Sequence, residues 1–304
     1  MSWNFERVAG PYEGPGGGLA WDGSGMLFSA VGEGRILRFD PATGSVVELR
    51  RHTHRTNGIA LGPDGVLYGC QEFGRRIICF MPDGSAKPAA YKLDGHFHNY
   101  PCDLAIDRTG GVWFADPHYP RPIPGPQIFP PLDHASVLCM ERVPRHEWEL
   151  RRVTYDTRAP RAVLLSADEQ TLYVAEGEAG WSGPRELRAY PVREDGSVGP
   201  YQTLHTFGTD HLGEQRGIEG MCLDSDGDVV ACGGWRRNGP GALIYVFSPS
   251  GAVIGTHPAP ADMPMRCAFG DADLGSLYVT AGDGCLYRAT ATGLRGNVRG
   301  PFRS

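Results

Sequence analysis

Apolar and polar positions alternate along this chain in short runs, and one composite pattern returns six times: a leading residue, a small or apolar stretch, a turn, then a short apolar strand. The copies open at Gly17, Asn57, Cys102, Arg161, Glu219 and Arg266, with spacings of 40 to 59 residues. Examples are Asn57-Gly-Ile-Ala-Leu-Gly-Pro-Asp-Gly-Val-Leu-Tyr68 and Glu219-Gly-Met-Cys-Leu-Asp-Ser-Asp-Gly-Asp-Val-Val230. Each copy is followed by a third strand, as in Arg35–Phe39, Arg76–Phe80 and Leu243–Phe247, and Gly-containing turns such as Pro82-Asp83-Gly84 close several of them. No long segment of 3.6-residue period interrupts the series. The pattern predicts an all-β, six-bladed β-propeller with four-stranded blades, filling residues 1–304 as a single domain. Blade six runs out of chain after Cys285–Ala289, so Trp3–Val8, which alternates suitably, is expected to supply its outer strand and close the ring.

Composition agrees with many strands and tight turns: 43 Gly and 25 Pro among 304 residues, with 21% charged and 41% hydrophobic. The net charge of −6 and the lack of a Lys/Arg run argue against nucleic acid as partner. No apolar run is long enough to cross a bilayer, and the N-terminus does not read as a signal peptide. The eight cysteines contain no CxxC pair and fall mostly in apolar strands, so they read as reduced, buried side chains. A cytoplasmic protein with a small-molecule partner is expected.

In a propeller the inner strands line a central channel, so the six leading residues should form a ring near one mouth. Charged leading residues before apolar strands are poor core formers, because a buried charge must be paired. The ring is therefore the candidate site.

The runs Thr56–Ala60, Pro101–Pro117, Cys267–Gly270 and Leu277–Ala281 carry a resemblance to the senescence-marker-protein/gluconolactonase/luciferin-regenerating-enzyme family, over nearly the whole chain. The resemblance implies a six-bladed propeller, a lactone hydrolase activity and one divalent cation in the channel held by a Glu, an Asn and an Asp, with a further Asn on the substrate. At those positions this chain has Gly17, Arg161 and Glu219, with Cys102 for the substrate Asn and Arg266 for another polar Asn. Glu13 lies four residues before the family's Glu position. An Arg cannot ligate a metal. Two outcomes stay open: a divalent cation such as calcium or zinc held by Glu219 and Glu13, or no cofactor, with Arg161 in the cation's place neutralised by Glu219 and Glu13.

The resulting expectation is a lactonase-like hydrolase acting on a small, carboxylate-bearing lactone or ester. Glu219 is the general base if burial raises its pKa, Arg161 or Arg266 is the oxyanion donor, and the other Arg, expected to be Arg266, binds the substrate acid. Two Arg in one ring exceed the acids the sequence places there, which favours an anionic substrate. Asn57, Cys102, Asp103, His118 and Trp235 are candidate substrate contacts, and Trp181 is a further possible pocket wall. The alternatives are a metal-independent isomerase, lyase or cyclase in the same pocket, or a ligand-binding propeller without turnover. The Pro-rich insertion 117–131, with Ile123, Ile128 and Phe129, is expected to form a lid or an oligomer contact.

Overall fold

The computed structural model describes residues 3–118, 129–143, 147–178 and 183–297. Six four-stranded antiparallel sheets are arranged around an axis, and no helix occurs among the described residues. The inner strands are Leu19–Trp21, Thr56–Leu61, Asp103–Ile106, Pro160–Leu165, Ile218–Leu223 and Pro264–Gly270, and each touches the next around a complete circle.

Period-two alternation explains the stacking. Successive side chains on a strand point to opposite faces of the sheet, and here both faces meet a neighbouring blade. The buried apolar residues accordingly form six clusters, one between each adjacent pair of blades. Between blades two and three, for example, Tyr68, Cys70 and Ile77 meet Leu104, Val112, Phe114 and Leu138.

The ring closes with an N-terminal strand, but over Glu6–Ala9 rather than Trp3–Val8. That strand pairs antiparallel with Leu286–Ala289 on the outside of blade six. Trp3 does not enter the sheet because its indole has a better place. It stacks on His257 at 3.7 Å, donates to the Thr292 carbonyl at 2.9 Å and joins the cluster between blades five and six. Hydrogen bonds also tie the inner strands to one another at the mouth, as in Gly18 N–H to Asn57 O and Gly58 N–H to Cys102 O, both 3.0 Å. Gly18 is required there: a Cβ on it would lie 2.4 Å from the Ile59 nitrogen of the next blade.

Candidate functional site

The inner strands do not start regularly. In blades two, four, five and six the pairing with the second strand slips near its start, between Thr56 and Ile59, Pro160 and Ala162, Ile218 and Gly220, and Pro264 and Arg266. The residues left opposite no partner are Asn57 and Gly58, Arg161, Glu219 and Met265. A bulge of this kind turns the extra side chain out of the sheet's alternation, and so directs these residues at the mouth. By this register the blade-six member of the ring is Met265. Arg266, expected at that place, sits one position further in, where it pairs with Thr280, because the apolar Met265 takes the bulged position.

That shift gives Arg266 a different role. It is 4% exposed and crosses the axis to blade three, where Nη2 donates to the Cys102 carbonyl at 3.1 Å and Nε lies 3.4 Å from Asp103 Oδ1. Asp103 Oδ2 in turn accepts from Val163 N–H at 3.1 Å. Burial pushes the Asp103 carboxyl up to about 6 against the pull of Arg266. Beyond this bridge lies a cavity of about 190 Å³ lined by the inner strands of all six blades.

Above the bridge, Glu219 is 2% exposed and both its oxygens are taken: Arg161 Nη2 lies 2.9 Å from Oε2 and Arg216 Nη2 lies 2.9 Å from Oε1. Arg161 Nη1 also reaches Glu178 Oε2 at 3.5 Å. Burial opposes the charge on Glu219, yet Arg161, then Arg216 and Arg266, outweigh it and hold the carboxyl down at about 2. The expected upward shift is thus reversed, because two guanidinium groups face a single carboxylate. The same field keeps Arg161 firmly protonated despite burial.

A second cluster faces it on blades two and three. Glu72 accepts from Asn57 Nδ2 at 2.7 Å and from the Tyr100 hydroxyl at 2.6 Å, with Arg55 Nε 3.7 Å away. Cys102, 1% exposed, directs its Sγ at the Arg161 carbonyl at 3.5 Å. Burial pushes its thiol up to about 12, in spite of Arg161 and Arg266, which is the wrong direction for a nucleophile.

The structure thus brings Arg161, Glu219, Asn57 and Cys102 to the mouth and sets Arg266 and Asp103 beneath them. Trp235 ends the second strand of blade five at the same side, its Nε1 buried without an acceptor among the described residues. His118 is half-buried, follows the second strand of blade three and is lowered by burial and by the charge of His134. Glu13 stands apart. It is exposed and its backbone N–H donates to Glu33 Oε1, and the second acid beside Arg161, the place expected for Glu13, is Glu178 instead. Trp181, Ile123, Ile128 and most of the 117–131 insertion lie outside the described residues, while Phe129 is half-exposed and packs on Phe97.

Arg216, Glu178, Glu72 and Tyr100 escaped the sequence reading because none leads a repeat. A signal was present: Glu72, Asp116 and Glu176-Gly-Glu178 all fall at the ends of second strands. Asp116 and Glu176 serve the chain itself, accepting backbone N–H groups of Asn99 and Tyr100, and of Arg158 and Ala159, in the incoming loops.

The donor set does not fit the dication implied by the resemblance. Both oxygens of Glu219 bind guanidinium, Arg161 stands where the resemblance implies a neutral ligand, and Glu13 is elsewhere. Among the described residues no group of three or more His, Cys, Asp or Glu is disposed to hold a metal ion. The supposed excess of Arg is also gone: Arg161 has Glu219 and Glu178, Arg266 has Asp103, and Arg55 has Glu72.

The structure is thus a closed six-bladed propeller with polar residues bulged into one mouth of its channel. The chain belongs to the family described as SMP-30/Gluconolactonase/LRE-like, whose model matches residues 15–283. It is 24% identical over 293 residues to the gluconolactonase of Zymomonas mobilis, covering 90% of this chain and 78% of that one. It is 25% identical over 270 residues to the 6-deoxy-6-sulfogluconolactonase of Pseudomonas putida, covering 84% and 78%. A solved gluconolactonase of Xanthomonas campestris superposes with a TM-score of 0.77 at 26% identity, over 95% of this chain and 89% of that one.

Proposed function

We propose that this protein hydrolyses a small lactone at the mouth formed by Arg161, Arg216 and Glu219. One observation carries the chemistry: Nε of Arg161 and Nη1 of Arg216 are buried with no hydrogen-bond acceptor among the described residues. A buried donor left unmade costs roughly 1–3 kcal/mol, and an acyl oxygen placed there would relieve it. The relief grows as a carbonyl oxygen becomes an oxyanion, which is the differential stabilisation that accelerates acyl transfer. The lactonase names of the relatives support the same reaction.

Glu219, held at about 2, is ionised at neutral pH and can receive a proton from attacking water, but it is a weak base. The guanidinium pair therefore supplies the larger share of the rate, with Glu219 fixing its geometry. Asn57, oriented by Glu72, and Tyr100 offer polar contacts across the mouth. The charges at this mouth balance, so recognition falls chiefly to the lactone ring, and a substrate carboxylate adds affinity by competing with Glu178 for Arg161.

The test is acid release from a panel of neutral and carboxylate-bearing lactones, with and without prior chelation. Acceleration that survives chelation and falls by about 100-fold in Arg161→Ala supports the reading. Failure to accelerate any lactone, or activity abolished by chelator and restored by a divalent ion, overturns it.

A further inference from the structure

Cys222 lies on the inner strand of blade five and Cys267 on that of blade six, and their side chains face each other across the interface between the two blades. The Sγ–Sγ distance is 3.6 Å. Cys232, on the second strand of blade five, belongs to the same cluster. Cys222 is half-buried, and both Cys222 and Cys267 line the axial cavity of about 190 Å³. Small solutes in that cavity reach two thiols at once.

We infer that Cys222 and Cys267 form an oxidation site, which a small peroxide entering the channel converts to an intramolecular disulfide linking blade five to blade six. In the resting protein Cys267 Sγ lies 3.3 Å from the Val230 carbonyl, to which its thiol donates. Hydrogen bonds from the Cys222 and Cys232 thiols, with Arg266 nearby, favour its thiolate, while burial holds Cys222 and Cys232 as thiols. Cys267, which accepts the hydrogen bond of the Cys222 thiol, is therefore the attacking sulfur. Its thiolate displaces hydroxide from hydrogen peroxide, forming an S–O bond and breaking the O–O bond. Cys222, deprotonating as it attacks, displaces the sulfenic oxygen as water and forms the S–S bond. Two thiols and one peroxide give one disulfide and two waters. The sulfurs must close from 3.6 Å to about 2.05 Å to form the bond.

The link would have a mechanical effect on the mouth. Cys222 follows Glu219 by three residues and Cys267 follows Arg266 directly, so a staple joins the strands that carry the buried carboxylate and the axial bridge.

Titration of the full-length protein with hydrogen peroxide, quenched in denaturant and counted for free thiols, tests this without any activity assay. Two of the eight thiols should be lost and recovered with dithiothreitol. Tryptic peptides 217–236 and 267–288 should appear cross-linked, with fragmentation placing the bond at Cys222 and Cys267. In Cys222→Ser, a sulfenic acid reagent such as dimedone should label Cys267 instead. An unchanged thiol count, a link through Cys232 or Cys285, or over-oxidation of Cys267 without a link refutes the proposal. The wild-type peptide map stands even if the Ser variant does not fold.

Discussion

Replacing Glu219 by Gln removes one negative charge from between two guanidinium groups in a site that is 2% exposed, and the stability consequence follows from the structure in two ways. The carboxyl falls from an ordinary 4.5 to about 2 on folding. At ~1.4 kcal/mol per pH unit that is worth about 3 kcal/mol at neutral pH. Breaking a buried ion pair by deleting one partner typically costs ~3–5 kcal/mol, because the surviving charges are left without compensation. The two routes agree. Because the folded value lies below the unfolded one, this contribution is complete above about pH 5 and fades as the pH falls through about 2. Urea unfolding of wild type and Glu219→Gln, compared at matched pH, should show a gap of about 3 kcal/mol at pH ~7 that narrows by about 2 kcal/mol near pH ~3. Groups common to both proteins cancel in the difference. A gap below about 1 kcal/mol at pH ~7, or one that ignores pH, would mean that Glu219 is not held as described.

Four further outcomes are expected. Arg216→Ala should lower lactone kcat by about 100-fold, while Arg216→Lys recovers stability by restoring the ion pair but not the rate, since it lacks the spare N–H; steady-state kinetics beside thermal melts separate the two. Asp116, fully buried and pushed up to about 7 from an ordinary 3.8, holds its proton in the folded state after the unfolded chain has lost it, so thermal stability should fall as the pH rises from about 4 to 7, and Asp116→Asn should flatten that slope. Removing residues 1–9 strips the outer strand from blade six and Trp3 from its cluster; size-exclusion chromatography should show a shift from the native elution position to associated species. Cys102→Ser should retain lactone turnover to within about threefold, because a thiol pushed up by burial is not the nucleophile.

Much of this architecture could be read from period-two alternation, because every blade repeats the same strand–turn–strand grammar and turn residues punctuate it. Ring closure was legible for the same reason: a blade short of one strand and a spare strand at the other end of the chain. The site was harder. Arg161 and Glu219 stood out as charges where an apolar strand begins, but their partners depended on loops whose path the repeat does not constrain. Arg216 enters from three residues upstream and Glu178 from two residues past a strand end. The sign of the shift on Glu219 required that count of partners, since burial alone raises a carboxyl and only paired cations reverse it. Arg266 lies one residue from its expected place because the residue that leads blade six, Met265, is apolar, so the hydrophobic pattern does not mark it as a leading position. In a channel a single position separates a side chain aimed at the mouth from one spanning the axis.

The strand Glu6–Ala9 joins Leu286–Ala289, near opposite ends of the chain. During synthesis this strand must therefore wait, unpaired, until blade six has emerged, and the circle is completed by the last encounter rather than the first. A fusion partner attached ahead of residue 3 would hang from the outer rim of the sixth sheet, away from the axis.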